Sequence, residues 1–264
     1  MLSDYKFITF ELKGRVMVMT LNRPEKLNAV NGAMHEEITK GLREVARDAD
    51  SSVIVLTGAG RAFCAGGDVS TMDSAEGFDS SRADPDAVSG EGLVDALIRI
   101  DKPVIAMVNG AAVGLGATIA LLCDVVVAAN DAMFADRHVN VGLVAGDGGA
   151  VIWPLLIGPA RAKEFLMTGD AVSGVEAERI GLINHAVPRE QLVDYTMQLA
   201  DRLAALPQFA VRATKVAVNR IVRLAAYNVL DISGALESIS MKREDHREAA
   251  RAFVASRKRS STSP

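Results

Sequence analysis

The sequence predicts an α/β fold, and three observations carry that reading. Short, continuously apolar runs rich in β-branched residues alternate with stretches of helical periodicity. Several of those runs end in glycine-rich loops. Beyond about residue 148 the pattern becomes nearly all helical. With 264 residues, 49% of them hydrophobic and 23% charged, the chain can fill one large core. Aromatics are only 5% of the chain and glycines number 22, so that core is built from Ala, Val, Ile, Leu and Met.

Residues 5–12 and 15–21 read as two strands joined by a turn at Lys13-Gly14, and Asn22-Arg23-Pro24 ends the second. Met34, Ile38, Leu42 and Val45 recur at spacings of three and four and predict a helix over 31–48. Glu36 and Glu37 lie near its positive N-terminal end. Residues 52–57 form a buried strand closed by Gly58-Ala59-Gly60. The segment 70–92 is polar, acidic and rich in Ser, Gly and Asp, which suits either a solvated loop or a flap beside a site. A short amphipathic helix over 93–101, a buried strand over 103–108, a helix over 115–122 and a strand over 125–129 follow. Helices are then expected at 149–157, 159–167, 173–180, 189–205, 207–222 and 226–255. This places a boundary near residue 200, between an α/β core over 1–200 and a helical region over 201–264.

Composition excludes several functions. A net charge of −4 argues against a nucleic-acid or anionic-membrane partner, which calls for a basic surface. The longest apolar run, 110–123, is shorter than the ~20 residues of a membrane span, and the N-terminus has no signal-peptide pattern, so a cytoplasmic protein is expected. Cys64 and Cys123 lack metal-type spacing and read as reduced, buried thiols. His35, His138, His185 and His246 form no zinc motif. No phosphate-cradling GxxxxGK[ST], complete GxGxxG or GxSxG nucleophile elbow occurs.

Two glycine loops stand out. Arg61-Ala-Phe-Cys-Ala-Gly-Gly-Asp68 follows one buried strand, and Asn109-Gly-Ala-Ala-Val-Gly-Leu-Gly116 follows another and opens a helix. Small residues in such loops serve tight turns and close packing. They also let backbone N–H groups face a cavity, where two amides can hold one developing oxyanion, and a helix start adds its positive dipole end.

Taken together, these pieces resemble the enoyl-CoA hydratase/isomerase (crotonase) superfamily. The matching segments are Leu21-Asn-Arg-Pro-Glu-Lys-Leu-Asn-Ala29, Phe63-Cys-Ala-Gly-Gly-Asp68, Lys102-Pro-Val-Ile-Ala-Met-Val-Asn-Gly110, Cys123-Asp124, Val141-Gly-Leu143 and Gly169-Asp170. The resemblance implies a spiral of ββα turns forming two roughly perpendicular sheets, with a helical C-terminal region for trimerisation or a lid. It implies a homotrimer, often paired into a hexamer, and no cofactor beyond coenzyme A carried as part of an acyl-CoA substrate. It assigns the oxyanion-hole amides to Gly67 and Leu115, within loops shaped by Gly66, Gly114 and Gly116. Extended coenzyme A would run near Arg23, Leu27 and Ala29, with Ala65 and Asp68 beside the pantetheine and thioester. Arg23 and Arg61 are candidates for its phosphates. Phe253 matches a family aromatic near coenzyme A, but Ser256 stands where the family carries a basic residue, with Arg257 and Lys258 just after it.

The chain departs from the family at its chemistry. Hydratases of this superfamily use two glutamates, and the matching positions here are Thr118 and His138. Two-glutamate hydration is therefore not expected, since threonine is no general base at neutral pH. His138, of ordinary pKa near 6.5, can move a proton, and the loop to Asp147 is able to double back and bring the two together. Asp147 would then orient the imidazole for proton transfer or water activation, act directly as acid or nucleophile, or simply cap the helix at 149–157. Asp136 reads as a turn or surface residue, and His35, His185 and His246 as surface or interface histidines. The expected function is enolate chemistry on an acyl-CoA. The alternatives are β-diketone carbon–carbon hydrolysis, since a His and Asp at this spacing resemble such hydrolases of the same fold, and a coenzyme A-binding scaffold without catalysis.

Overall fold

The computed structural model describes residues 4–68 and 92–260, with side chains as far as residue 252. Except for Gly92, the polar segment 70–92 lies outside these residues, as does the Phe253 side chain.

The first two strands, β1 (Ile8–Lys13) and β2 (Val16–Leu21), form a hairpin whose register runs from Ile8 opposite Leu21 to Lys13 opposite Val16. Helix α1 (Gly32–Arg47) buries Met34, Ile38, Leu42 and Val45, the stripe expected from their spacing. Asn31 caps it by accepting from the Met34 N–H at 2.9 Å. At its other end Lys102 is buried and donates to Val45 O at 2.7 Å, placing a cation among the last carbonyls.

Beyond α1 the chain repeats one motif. β3 (Val53–Gly58) lies in a six-stranded sheet and β4 (Ala62–Cys64) in a four-stranded one. Helix α2 (Leu93–Arg99) precedes β5 (Val104–Val108) in the first sheet and β6 (Ala111–Val113) in the second. Helix α3 (Leu115–Leu121) precedes β7 (Val125–Ala129) and β8 (Met133–Ala135), distributed in the same way. Helix α4 (Gly149–Thr168), β9 (Val172–Ser173), α5 (Gly174–Arg179) and β10 (His185–Val187) complete the sheets. Their orders are β1-β2-β3-β5-β7-β10 and β4-β6-β8-β9. From β2 onward the larger sheet is parallel, which explains why its inner strands read as unbroken apolar runs. This is the expected mixed α/β spiral on two sheets.

Several details correct the sequence reading. The short strands β4, β6, β8, β9 and β10 have no counterpart in it. By contrast, α4 divides as expected into two helical segments, with Gly158 at φ 76° breaking it just before Pro159. Helix α6 (Leu192–Ala205) packs on the larger sheet, and residue 200 lies inside it. The two helices expected at 207–222 and 226–255 are instead one long α7 (Gln208–Ser240) followed by α8 (Glu244–Ser260). His246 is buried rather than superficial, with Nδ1 2.6 Å from Val141 O. Among the described residues no helix is long and apolar enough to cross a membrane.

Candidate active site

The parallel pairing of β4 with β6 sets the two glycine loops side by side. Gly66 has φ 91°, and a Cβ there would stand 2.8 Å from Val113 O in the other loop. At Gly116 a Cβ would stand 2.2 Å from Cys64 O, so only glycine permits this approach. Val30 N–H donates to Gly66 O and Asp68 N–H to Val30 O, each at 2.8 Å. That is a parallel bridge centred on Gly67, and it turns the Gly67 N–H away from Val30. Leu115 opens α3, where the first amides have no intrahelical acceptor. Gly114 N–H is taken by Ala135 O at 2.9 Å, which ties this loop to the end of β8.

The approach to these loops is shaped by residues 23–29. Leu27 and Asn28 adopt left-handed backbone, with φ 55° and 56°. Asn28 is fully buried, accepts from Arg23 N–H and donates to the carbonyls of Ala59, Ala62 and Phe63. Leu27 O accepts from Ala65 N–H at 3.0 Å. The Arg23 guanidinium is only 13% exposed and binds Asp68 at 2.7 Å and Ala29 O at 2.9 Å. It therefore fastens residues 23–29 to the first glycine loop, whereas Arg61 is exposed.

His138 and Asp147 do meet. His138 Nε2 lies 3.3 Å from Asp147 Oδ2, and the Thr118 hydroxyl donates to Asp147 Oδ1 at 3.1 Å. Thr118 is fully buried on α3, one turn beyond the Leu115 amide. The imidazole edge also faces Gly114, where a Cβ would stand 3.5 Å from His138 Cε1. Asp136 corrects the sequence reading: it is wholly buried, and its Oδ1 takes the other ring nitrogen, Nδ1, at 2.7 Å. The missed strand β8 is the reason, because it ends at Ala135 and delivers Asp136 inward. Both nitrogens of His138 are thus held by carboxylates. Burial pulls this imidazole down, but Asp147 and Asp136 outweigh it and hold it well above the ordinary value, as a cation. Burial likewise favours a neutral Asp147, yet the His138 cation, the Thr118 hydroxyl and the Gly149 amide hold its carboxyl below the usual range.

A fourth group, unsignalled in the sequence, reaches this cluster from α7. Glu237 Oε1 lies 3.9 Å from His138 Nε2. The ligand atoms of Asp136, His138 and Asp147 are close enough together for a metal ion, but the hydrogen bonds spanning His138 account for that spacing. Cys64 and Cys123 are buried and free, as expected, and burial pushes the Cys64 thiol up to about 12.

Comparison with known proteins agrees with this architecture. The sequence profile of the enoyl-CoA hydratase/isomerase family matches residues 11–263. The 1,2-epoxyphenylacetyl-CoA isomerase of Escherichia coli K12 is 37% identical over 257 residues, covering 96% of this chain and 97% of that protein. The short-chain-enoyl-CoA hydratase of Clostridium acetobutylicum is 32% identical over 252 residues, 95% of each chain. The crystal structure of an enoyl-CoA hydratase/isomerase from Mycobacterium paratuberculosis superimposes with a TM-score of 0.87 at 37% identity, covering 95% of this chain and 99% of that one. The chain belongs to the enoyl-CoA hydratase/isomerase family and is an enzyme of the crotonase superfamily.

Proposed function

We propose that this enzyme isomerises an acyl-CoA thioester by moving a proton between two carbons of an enolate. The observation that carries the reading is the contact of Asp147 with Thr118 and His138 beside the paired glycine loops, which favours its carboxylate form. Asp147 takes a proton from a carbon activated by the thioester carbonyl. The electron pair moves onto the carbonyl oxygen, and the amides of Gly67 and Leu115 stabilise that charge. A proton is then delivered to another carbon, so no atom is gained or lost. Gly66, Gly114 and Gly116 keep the oxyanion pocket open. Coenzyme A runs past Leu27, Ala29 and Ala65 towards Phe253, while Arg23 and Asp68 keep that path in shape. The names of the two relatives above, both enzymes of CoA compounds, support the substrate class.

Thr118 and His138 provide no pair of carboxylates, which argues against two-glutamate hydration. Water activation by His138, as carbon–carbon hydrolysis requires, is disfavoured because both ring nitrogens are engaged. Phe209, Tyr227, Ile221 and Leu224 stand at least 63% exposed along α7, an apolar face suited to a homotrimer or a dimer of trimers, which mass measurement in solution tests directly. The enolate reading is tested by incubating the enzyme in D2O with acyl-CoAs and following the hydrogens beside the thioester by NMR. Enzyme-dependent exchange is expected. Its absence across saturated and unsaturated acyl-CoAs that bind would overturn the reading.

A further inference from the structure

We infer that Glu237 is a second proton-transfer group of this site, the carboxylic acid that returns a proton to the substrate after Asp147 has removed one. The inference rests on the enolate reading and extends it. Glu237 Oε1 stands 3.9 Å from the same His138 Nε2 that lies 3.3 Å from Asp147 Oδ2, so one ring nitrogen faces both carboxyls. The three side chains share partial shielding, at 16%, 13% and 17% exposure for Glu237, His138 and Asp147.

The placement of Glu237 is set by the register of α7 and by the backbone at Gly146. Ser233, Glu237 and Ser240 share one face of α7. Ser233 Oγ donates to Gly146 O at 3.3 Å, and Ser240 Oγ accepts from Val144 N–H at 3.2 Å. Nearer its start, α7 is anchored by Lys215, whose Nζ lies 2.6 Å from Asp124, and by Asn219, which donates to Ile98 O. These bonds lock the helix register against the loop that carries Asp147. A Cβ at Gly146 would stand 2.4 Å from Glu237 Oε2 and 2.6 Å from Glu237 Cβ. The bare backbone at 146 is what admits the glutamate, and a glutamate directed to solvent would not need it.

Chemistry agrees with the geometry. Burial, with Asp147 and Asp136 nearby, pushes the Glu237 carboxyl up to about 7 against the opposing pull of His138, whereas Asp147 is held low. Neighbouring carboxyls driven apart in this way divide into an acid and a base. In the turnover Asp147 gains a proton from one carbon and Glu237 gives its own to another, becoming a carboxylate. The site resets when His138 Nε2–H passes its proton to Glu237 and takes the one held by Asp147. All protons balance and no further reactant is needed.

The test compares wild type with Glu237→Gln and Glu237→Asp, using a short 3-enoyl-CoA in D2O. Two rates are read: deuterium exchange beside the thioester, and formation of the conjugated 2-enoyl thioester. In Glu237→Gln, product formation should fall roughly a hundredfold or more while exchange falls far less, and Glu237→Asp should restore part of the product rate. The wild-type product rate should decline as pH rises through about 7, where Glu237 loses its proton. Wild-type product rates in a folded Glu237→Gln enzyme, or equal loss of exchange and product, would overturn the inference. If Glu237→Gln does not fold, a wild-type product rate that holds level through that pH would do the same. Failure of wild type to exchange at all sinks the enolate reading instead, so the two failures are distinguishable.

Discussion

Replacing Asp147 with Asn changes one charge and almost no volume. Asn can still accept one of the two hydrogen bonds that the carboxylate takes from Thr118 and His138. What disappears is the ion pair, leaving the buried His138 cation with Asp136 alone at 2.7 Å. Removing one partner of a fully buried pair costs about 3–5 kcal/mol when the remaining charge is uncompensated. Here Asp136 remains, so the loss is nearer that of one charged hydrogen bond, about 2 kcal/mol. The sign of its pH dependence follows from two shifts. The His138 value is raised, so its contribution is complete below the ordinary value of 6.5 and disappears as pH rises through the folded value. The Asp147 value is lowered, so its contribution is present above 3.8 and is lost as pH falls through the folded value. The stability gap between wild type and Asp147→Asn should therefore be widest between about pH 4 and 6.5 and should narrow on the alkaline side. Urea melts across that range read the gap, and NMR of the imidazoles should show the His138 value dropping in the variant. Exchange beside the thioester should slow by roughly 10²–10⁴-fold, the range for losing a general base. A folded Asp147→Asn enzyme that exchanges at the wild-type rate would refute the assignment of the base.

Three further outcomes follow from the same structure. Gly116→Ala drives a Cβ to 2.2 Å from Cys64 O, so either the loops part or the protein loses about 1–3 kcal/mol or more; melts and coenzyme A affinity together read this, and unchanged values would mean the loops are not in contact. Asn28→Ala leaves the carbonyls of Ala59, Ala62 and Phe63 without this partner and puts Ala at φ 56°, for an expected loss of about 3–5 kcal/mol by urea melt, while a loss under about 1 kcal/mol would contradict the burial of that amide. The Glu237 value is raised from 4.5 to about 7, so its contribution is complete below 4.5 and is lost as pH rises to about 7. Glu237→Gln should accordingly gain on wild type between pH 5 and 8, by at most about 3 kcal/mol, and an equal pH slope in both proteins would show that Glu237 is not buried.

Much of the fold is legible in the sequence because its signals are long. The inner strands of the larger sheet are covered on both faces and read as apolar runs, and α1 repeats its stripe over about three turns. Gly158-Pro159 marks the break in α4. The smaller sheet is not legible, since strands of two or three residues carry no period. That loss extends to the site: with β8 unseen, Asp136 reads as a turn residue although it is completely buried. The exposed apolar residues of α7 blur its stripe, and without Gly or Pro at 223–225 the gap read there has no physical cause. His138 and Asp147 could be paired from sequence because one short loop joins them. Glu237 could not, because its partner Gly146 lies some ninety residues earlier and a lone glutamate on a long helix looks like solvent-facing surface.

In the proposed reaction the Gly67 and Leu115 amides hold a thioester oxygen while Asp147 faces the adjacent carbon. A crystal structure of Asp147→Asn with an unsaturated acyl-CoA tests it most directly. The thioester oxygen is expected within about 3.2 Å of both amide nitrogens, with the residue-147 side chain over the carbon that loses its proton. A thioester oxygen bound elsewhere, or an acyl chain whose reactive carbons point away from residues 138, 147 and 237, would contradict it.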